Sequence, residues 1–288
     1  MKLFAVQGNH QKLDGGAMFG NCPKPVWEKW AKPDARNRIT LSCRCLLVQD
    51  EKNGRPRNVL LESGIGAFFD PKLRDRFGVE EERHVLIDSL AELGLTPGDI
   101  DVIVLSHMHF DHAGGLLTAF EAGKALTLAF PNAHYVVGSE AWARAKTPHP
   151  RDKASFIPEL QKLLEDTGRL EIVTGTHSSV LGPAYSFTYS SGHTPGLMLT
   201  RVEGHANGPV TFMGDLIPGA AWVHLPITMG YDRFPELLIE EKKAMLDRVI
   251  EERGFAFFTH DENVSCARVV KNGEKYAAEE AIENLAWS

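Results

Sequence analysis

The sequence lacks any apolar run close to the roughly 18 residues that a membrane-spanning helix needs. Its opening residues, Met1 to Gln7, become polar too early for the apolar region of a secretory signal peptide. We therefore expect a soluble, cytoplasmic protein without a membrane partner. The chain also lacks a positive charge excess, because 31 Lys and Arg face 38 Asp and Glu, for a net charge of −7. Nucleic-acid binding needs a basic surface, so we expect no nucleic-acid partner.

Cysteine is scarce, and the four cysteines form no CxxC pair. Cys43 and Cys45 stand two residues apart, so on a strand they would share a face and be badly placed to bond each other. We expect reduced, mostly buried thiols, with a redox or metal role for Cys43-Arg44-Cys45 as the alternative. No repeat or low-complexity tract divides the chain, and 288 residues can bury a large core. We expect a single domain over residues 1–288.

The first 40 residues are rich in helix and strand breakers, including Gly15-Gly16, Pro23 and Pro33, yet they carry several large apolar side chains. We expect an irregular N-terminal arm over residues 1–40 that packs on the core. A pocket wall or a homodimer contact are the alternatives for this arm.

Alternation and turn signals predict a hairpin with strands 40–48 and 58–62 around the turn Asn53-Gly54. Further short runs predict strands at 101–106, 133–137, 186–190, 210–213 and 255–259. Apolar spacing and stop residues predict helices at 81–93, 157–166 and 235–252. This mixture of hairpins and separate helices predicts sheets covered by helices rather than one purely parallel sheet.

The segment His107-Met108-His109-Phe110-Asp111-His112 places four potential metal ligands within six residues, directly after a predicted buried strand. Imidazole and carboxylate groups are donors that zinc, iron, manganese and cobalt all accept. Four donors crowded so closely fit two adjacent ions better than one. No cysteine joins them, which disfavours a closed structural zinc site.

Three further candidate ligands follow other predicted strands: His193, Asp215 and His260. Each alone could have a structural role, but together they form one ligand class at one kind of location. The remaining histidines lack this context and are expected on the surface or in the core. His224 is the exception, because it lies within the apolar sequence Trp222-Val223-His224-Leu225.

In this order the motifs His107-x-His109-x-Asp111-His112, Gly192-His193-Thr194-Pro195-Gly196, Gly214-Asp215 and His260 resemble the metallo-β-lactamase-fold hydrolases. The resemblance implies an α+β fold, the αββα four-layer sandwich, with a two-metal site at one sheet edge. It also implies that His107, His109 and His193 hold one ion, that Asp111, His112 and His260 hold the other, and that Asp215 bridges them.

Within this family the sequence looks most like quorum-quenching N-acyl-homoserine lactonases and methyl-parathion-hydrolase-type enzymes. The residues behind this likeness are 13–20, 37–47, 214–218 and 229–232. Two positions depart from the pattern. Glu62-Ser63-Gly64 stands where the family often has Asp-Thr-Gly, and Pro218 stands where well-known lactonases have a tyrosine, so a catalytic phenol would have to come from elsewhere, such as Tyr231.

These features predict hydrolysis of a lactone, above all an N-acyl-homoserine lactone, by a hydroxide shared between two divalent ions, with zinc as the expected metal. Asp111 and Asp215 are the expected catalytic carboxylates, Asp111 also serving as a proton shuttle. The alternatives are an aryl ester or organophosphate triester hydrolase and a non-hydrolytic di-metal redox protein. An apolar substrate wall is expected from a set of mostly large side chains: Met18, Phe19, Phe68, Phe69, Trp222 and His224.

Overall fold

The structure is a computed structural model that describes all 288 residues. It has fifteen strands: β1 (Lys2–Val6), β2 (Gln11–Asp14), β3 (Arg38–Leu41), β4 (Cys45–Lys52), β5 (Arg55–Leu61), β6 (Val102–Leu105), β7 (His134–Gly138), β8 (Leu170–Val173), β9 (Tyr185–Ser190), β10 (Leu197–Val202), β11 (Val210–Phe212), β12 (Phe255–Phe257), β13 (Cys266–Asn272), β14 (Lys275–Ile282) and β15 (Ala286–Trp287). It has eight α-helices: α1 (Gly15–Phe19), α2 (Lys24–Trp27), α3 (Pro71–Phe77), α4 (Val85–Glu92), α5 (Phe110–Ala113), α6 (Ser139–Lys146), α7 (Leu160–Asp166) and α8 (Pro235–Glu251). None of these helices combines the length and apolar character that crossing a bilayer requires.

Two large mixed sheets form the centre of the molecule. A seven-stranded sheet has the order β15-β1-β4-β5-β6-β7-β8, and a six-stranded sheet has the order β14-β13-β12-β11-β10-β9. In the first sheet β5 to β8 run parallel, whereas β4 and β5 form the predicted antiparallel hairpin. In the second sheet only β11 and β12 pair in parallel. A separate two-stranded sheet joins β2 to β3.

Alternating side chains on the strands sort the core into layers. Val102 and Val104 on β6 belong to a cluster shared with Phe212 and Phe257 of the other sheet, so this cluster fills the space between the sheets. The intervening Ile103 and the residues of α4, α6 and α7 form a second cluster on the outer face of the seven-stranded sheet. A third cluster joins α8 to the outer face of the six-stranded sheet. The predicted αββα four-layer sandwich is therefore confirmed.

The N-terminal segment corrects one expectation. Residues 1–40 are not irregular throughout, because β1 pairs with β4 inside the seven-stranded sheet and β2 pairs with β3. Apart from Gly8, the Gly and Pro residues of this segment all lie beyond β2, and their density masked the two short strands β1 and β2 that precede them. The aromatic part of the segment does pack on the core, where Phe19 and Trp27 are buried. The homodimer stays a prediction.

The predicted strand 40–48 is two strands, β3 and β4, separated by Ser42-Cys43-Arg44. These three residues leave the sheet register because they bond to the loop after β12 instead. The Arg44 amide donates to the carbonyl of Thr259, and the Thr259 hydroxyl donates to the carbonyl of Arg44. The other predicted strands and helices are present, with ends shifted by a few residues.

Lys242 on α8 is fully buried, and its ammonium group donates to three carbonyl oxygens, those of Trp222, His224 and Ile227. We expect Lys242→Met to lower the free energy of unfolding by about 3 kcal/mol, because these carbonyls lose their donor without gaining water. Urea unfolding measures this change. Lys243→Met is the matched control, since the neighbouring Lys243 is exposed and pairs with Asp247. Equal stability of the two variants would contradict the assigned role.

Candidate metal centre

The candidate ligands all follow strand ends at one edge of the two sheets. His107 comes two residues after β6, and the chain then turns into the short α5, which carries Asp111 and His112. His193, Asp215 and His260 follow β9, β11 and β12 of the other sheet. The edge where both sheets meet therefore collects donors that are far apart in sequence, as the sequence predicts.

Three imidazole nitrogens converge in the first group. His109 Nδ1 lies 3.0 Å from His107 Nε2 and 3.4 Å from His193 Nε2. All three side chains are buried. They form one of the clusters that could hold a metal ion.

A second group lies beside the first. His112 Nε2 and His260 Nε2 are 3.3 Å apart, and both rings are buried. Asp111 completes this group, with its carboxylate oxygens 3.9 Å from His112 Nε2 and 3.6 Å from His260 Nε2. The Asp111 side chain is 16% exposed, so this carboxylate is the more accessible part of the group.

Asp215 lies between the two groups with one oxygen toward each. Its Oδ2 is 3.2 Å from His193 Nε2, whereas its Oδ1 is 3.2 Å from both His112 Nε2 and His260 Nε2. A carboxylate in this position can bind two cations at once, one through each oxygen.

The spacing of the donors is close to the spacing of ligand atoms around a metal ion. A tetrahedral zinc ion, with bonds of about 2.0–2.1 Å to nitrogen, separates its ligand atoms by about 3.3–3.4 Å. The nitrogen pairs above are 3.0 to 3.4 Å apart. In addition, Asp215 Oδ1 is buried and has no hydrogen-bond partner, although buried polar atoms rarely remain unpaired. Cations in the two groups would account for both observations.

The electrostatics of the site divide its histidines. Burial, together with the neighbouring imidazoles, holds the pKa values of His107 and His109 well below the ordinary range. Burial also opposes charge on His112 and His260, but the Asp215 carboxylate outweighs it and raises their pKa values well above that range. Burial works to raise the pKa of Asp215, yet the facing imidazoles lower it well below its usual value. The carboxylate of Asp215 therefore stays ionised and attracts positive charge to this point.

Contacts on the outer side of the rings determine which nitrogen faces the centre. His107 Nδ1 lies 2.9 Å from the Ser106 hydroxyl, and His260 Nδ1 donates to the carbonyl of Ser42. Glu62 Oε2 is 3.3 Å from His112 Nδ1, and its Oε1 accepts the amide of Ser106 at 2.7 Å. The Glu62 backbone reaches this position with a φ of 70°. The carboxylate found in place of the family's aspartate therefore still contacts a candidate ligand.

One cavity opens on the site, and a second cavity adjoins the first. The first, about 360 Å³, is lined by His109, Asp111, His193 and Asp215 together with Tyr231. The second, about 420 Å³, is mostly apolar. Its lining includes six aromatic side chains, from the loop after β5, from α3 and α5, and from later loops: Phe68, Phe69, Phe77, Phe110, Phe120 and Phe156. Both cavities share the walls formed by Phe77, Phe110 and Ala154.

The structure separates the residues predicted to form the substrate wall. Phe68 and Phe69 do line the apolar cavity. Met18, Phe19 and Trp222 lie instead in the core cluster under α8, where Phe19 stacks on Trp222 with ring centroids 4.4 Å apart. His224 stacks on Trp30 and lines neither cavity. Met18, Phe19 and Trp222 fill the space between α8 and the N-terminal helices. Composition alone does not distinguish such core residues from residues that line a pocket.

Sequence reasoning missed the segment 151–155, which forms one side of the metal-site cavity through Arg151, Asp152 and Ser155. A single β-bridge between His109 and Phe156 brings this segment to the ligands. The sequence holds no motif for such a contact, because it joins two loops. Asp152 is ion-paired with Arg144 at 2.7 Å.

Comparison with known proteins agrees with this geometry. Residues 39–260 match the family model described as the metallo-beta-lactamase superfamily. An N-acyl homoserine lactonase from a Bacillus species is 27% identical over 77% of this chain and 82% of its own length. One from Bacillus cereus is 26% identical over 78% and 83%, respectively.

Among solved structures, a Staphylococcus aureus protein described as a probable metal-dependent hydrolase superposes with a TM-score of 0.83. It is 31% identical, and the match covers 97% of both chains. A dizinc quorum-quenching lactonase bound to a product, at 21% identity, shares the fold with a TM-score of 0.72 over 96% of this chain and 92% of the other. The family match spans most of the strands and every candidate ligand, and the chain belongs to the metallo-beta-lactamase superfamily.

Proposed function

We propose that this protein is a dinuclear metal-dependent hydrolase that opens lactones, with N-acyl-homoserine lactones as the preferred class. The observation that carries the proposal is the position of Asp215, which presents one oxygen to each of two histidine groups. The similarity to N-acyl homoserine lactonases supports the substrate class.

The proposed ligand sets follow the two groups. His107, His109 and His193 would hold one ion, Asp111, His112 and His260 the other, and Asp215 would bridge them. Zinc suits these nitrogen and oxygen donors, as do iron, manganese and cobalt. Such a pair of ions, when bound, lowers the pKa of a shared water and polarises the scissile carbonyl.

The residues around the site supply the remaining steps. Asp111 is the accessible carboxylate, so its free oxygen can take the proton of the attacking water and return it to the leaving alkoxide. Tyr231 lines the same cavity and is 45% exposed, so its phenol would be the donor to the reacting carbonyl. Pro218 cannot supply this group, and its carbonyl accepts the amide of His260 instead. Tyr231 would therefore take the role of the tyrosine that well-known lactonases have at the position of Pro218.

The apolar cavity favours a substrate with a hydrocarbon tail. It shares Phe77, Phe110 and Ala154 with the metal-site cavity, so a lactone ring at the ligands could extend its acyl chain past these three residues. Burying a chain in such a cavity contributes about 0.8 kcal/mol for each methylene group. We therefore expect long acyl chains to be hydrolysed more efficiently than short ones.

A second candidate function is hydrolysis of aryl esters or organophosphate triesters. The stacked and edge-on rings of Phe69, Phe77 and Phe110 favour it, because they offer flat surfaces to an aromatic leaving group. The same metal chemistry would act on a phosphoryl centre.

Steady-state kinetics on the zinc-loaded protein separate the two candidates. We expect kcat/KM for a long-chain N-acyl-homoserine lactone to exceed that for an aryl phosphotriester by at least about 100-fold, a difference of about 3 kcal/mol in transition-state stabilisation. Turnover of the phosphotriester without ring opening of the lactone would transfer the proposal to the second candidate.

The route between the cavities can be tested at Ala154. An indole introduced by Ala154→Trp would block the passage, so we expect kcat/KM for a twelve-carbon acyl lactone to fall at least about 10-fold, while a four-carbon substrate is nearly unaffected. Lys153→Trp is the control, because it adds the same side chain at a neighbouring position that lines neither cavity. An equal loss for both chain lengths would show that the chain does not follow this route.

A further inference from the structure

We infer that Asp232 is a positioning residue for His193, and that its carboxylate selects the imidazole nitrogen that faces the metal centre. This inference rests on the proposed metal centre. Asp232 lies between the last 3₁₀ turn and α8, 39 residues after His193, and carries no ligand role in the motif. No other carboxylate contacts this ring from outside the centre within the distance of an ion pair.

The contact itself is short and buried. Asp232 Oδ1 lies 2.9 Å from His193 Nδ1, and Asp232 is only 2% exposed. The other oxygen, Oδ2, accepts the backbone amide of Met229 at 2.6 Å. Because a carboxylate can only accept hydrogen bonds, His193 must donate from Nδ1. Its Nε2 then carries the lone pair, and this nitrogen faces Asp215 and His109.

A carboxylate behind a ligating imidazole also makes the ring a stronger donor. The outer nitrogens of the other rings have weaker partners or, at His109 Nε2, no hydrogen-bond partner. His107 meets a hydroxyl at Ser106, His260 donates to a carbonyl at Ser42, and the nearest oxygen of Glu62 is 3.3 Å from His112 Nδ1. Asp232 should therefore strengthen binding of the ion held by His193 and leave the affinity for the ion of the second group unchanged.

The loop that carries His193 is held independently of the Asp232 side chain. The amides of Arg233 and Phe234 donate to the carbonyls of His193 and Gly192. On the other side of the loop, Glu241 of α8 accepts the amides of Ser191 and Gly192. Removing the Asp232 carboxylate should therefore leave the loop in place and remove only the contacts to the His193 ring and to the Met229 amide. Glu241 supplies the matched control, because it fixes the same loop without touching an imidazole.

The test measures metal affinity rather than turnover. Wild type, Asp232→Asn, Asp232→Ala and Glu241→Gln are loaded with cobalt, and the two dissociation constants are obtained by competition with a chelator while the visible cobalt spectrum is recorded. We expect one of the two ions to bind about 10-fold more weakly in Asp232→Asn and about 100-fold more weakly in Asp232→Ala, with an altered spectrum. The second ion and both ions of Glu241→Gln should stay near wild type.

Two results would overturn the inference, and they are distinguishable. If wild type binds two ions and the Asp232 variants bind both with unchanged affinity, or Glu241→Gln loses as much as Asp232→Ala, then Asp232 does not position His193. If wild type binds fewer than two ions, the proposed metal centre itself fails. The near-isosteric Asp232→Asn guards against loss of folding, which thermal melting of each variant monitors.

Discussion

Asp215→Ala is expected to lower kcat/KM for lactone opening by at least about 1,000-fold, equivalent to about 4 kcal/mol of transition-state stabilisation. The reason is geometric. Asp215 is the only residue that lies within 3.2 Å of nitrogens in both groups, at His193 on one side and at His112 and His260 on the other. Without it, the imidazoles lose their common anion, and two ions would repel each other without a shared ligand. Metal content should fall together with activity.

The matched control is Asp166→Ala, which removes a carboxylate from the exposed end of α7, where it pairs with Lys162. This variant should keep both metal and activity. Full activity of Asp215→Ala with two bound ions would contradict the bridging role. Loss of activity with two ions retained would limit Asp215 to a role in the reaction itself.

Gly115→Ala is expected to destabilise the protein by about 3 kcal/mol or more, which corresponds to a fall in Tm of roughly 10 °C. A Cβ at position 115 would lie 1.9 Å from the carbonyl oxygen of Ser63, an impossible contact with backbone rather than with a flexible side chain. The two loops are joined there by a hydrogen bond from the Gly115 amide to the carbonyl of Gly64. One loop follows His112 and the other follows Glu62, so the clash should also disturb the second ligand group.

Gly175→Ala is the control for this prediction. No atom lies within 4 Å of a Cβ at position 175, and its backbone does not need a positive φ. We expect its Tm to stay near that of wild type, or to rise slightly because alanine restricts the unfolded chain. Differential scanning calorimetry compares the three proteins. A Gly115→Ala variant as stable as Gly175→Ala would show that the two loops are not in close contact.

The convergence of the candidate ligands could be predicted from the sequence because their signal is local. His107, His109, Asp111 and His112 follow one strand, and strand ends are recognisable from the apolar runs before them. His193, Asp215 and His260 also follow strands. The sheet edge at which the candidate ligands lie could therefore be inferred from the sequence. The four-layer architecture was implied by the family resemblance, and the layered core confirms it.

The remaining features depend on contacts between distant segments. Phe68 and Phe19 are both buried aromatic residues near glycines, yet one lines the apolar cavity and the other lies under α8. Nothing in their local sequence separates these outcomes. Likewise, β1 joins a sheet because β4 offers it an edge, and Asp232 meets His193 because the segment just before α8 bonds to the loop that carries His193. Such partners are fixed by tertiary packing rather than by a local pattern.

Anomalous X-ray scattering from crystals of the zinc-loaded protein would locate the two ions that Asp215 is proposed to bridge. We expect two zinc peaks about 3.5–4 Å apart, one on each side of the Asp215 carboxylate, at the separation typical of two-metal hydrolytic sites. One peak should contact His107, His109 and His193, and the other should contact Asp111, His112 and His260. A single peak, or two peaks not bridged by Asp215, would contradict the proposed two-metal centre.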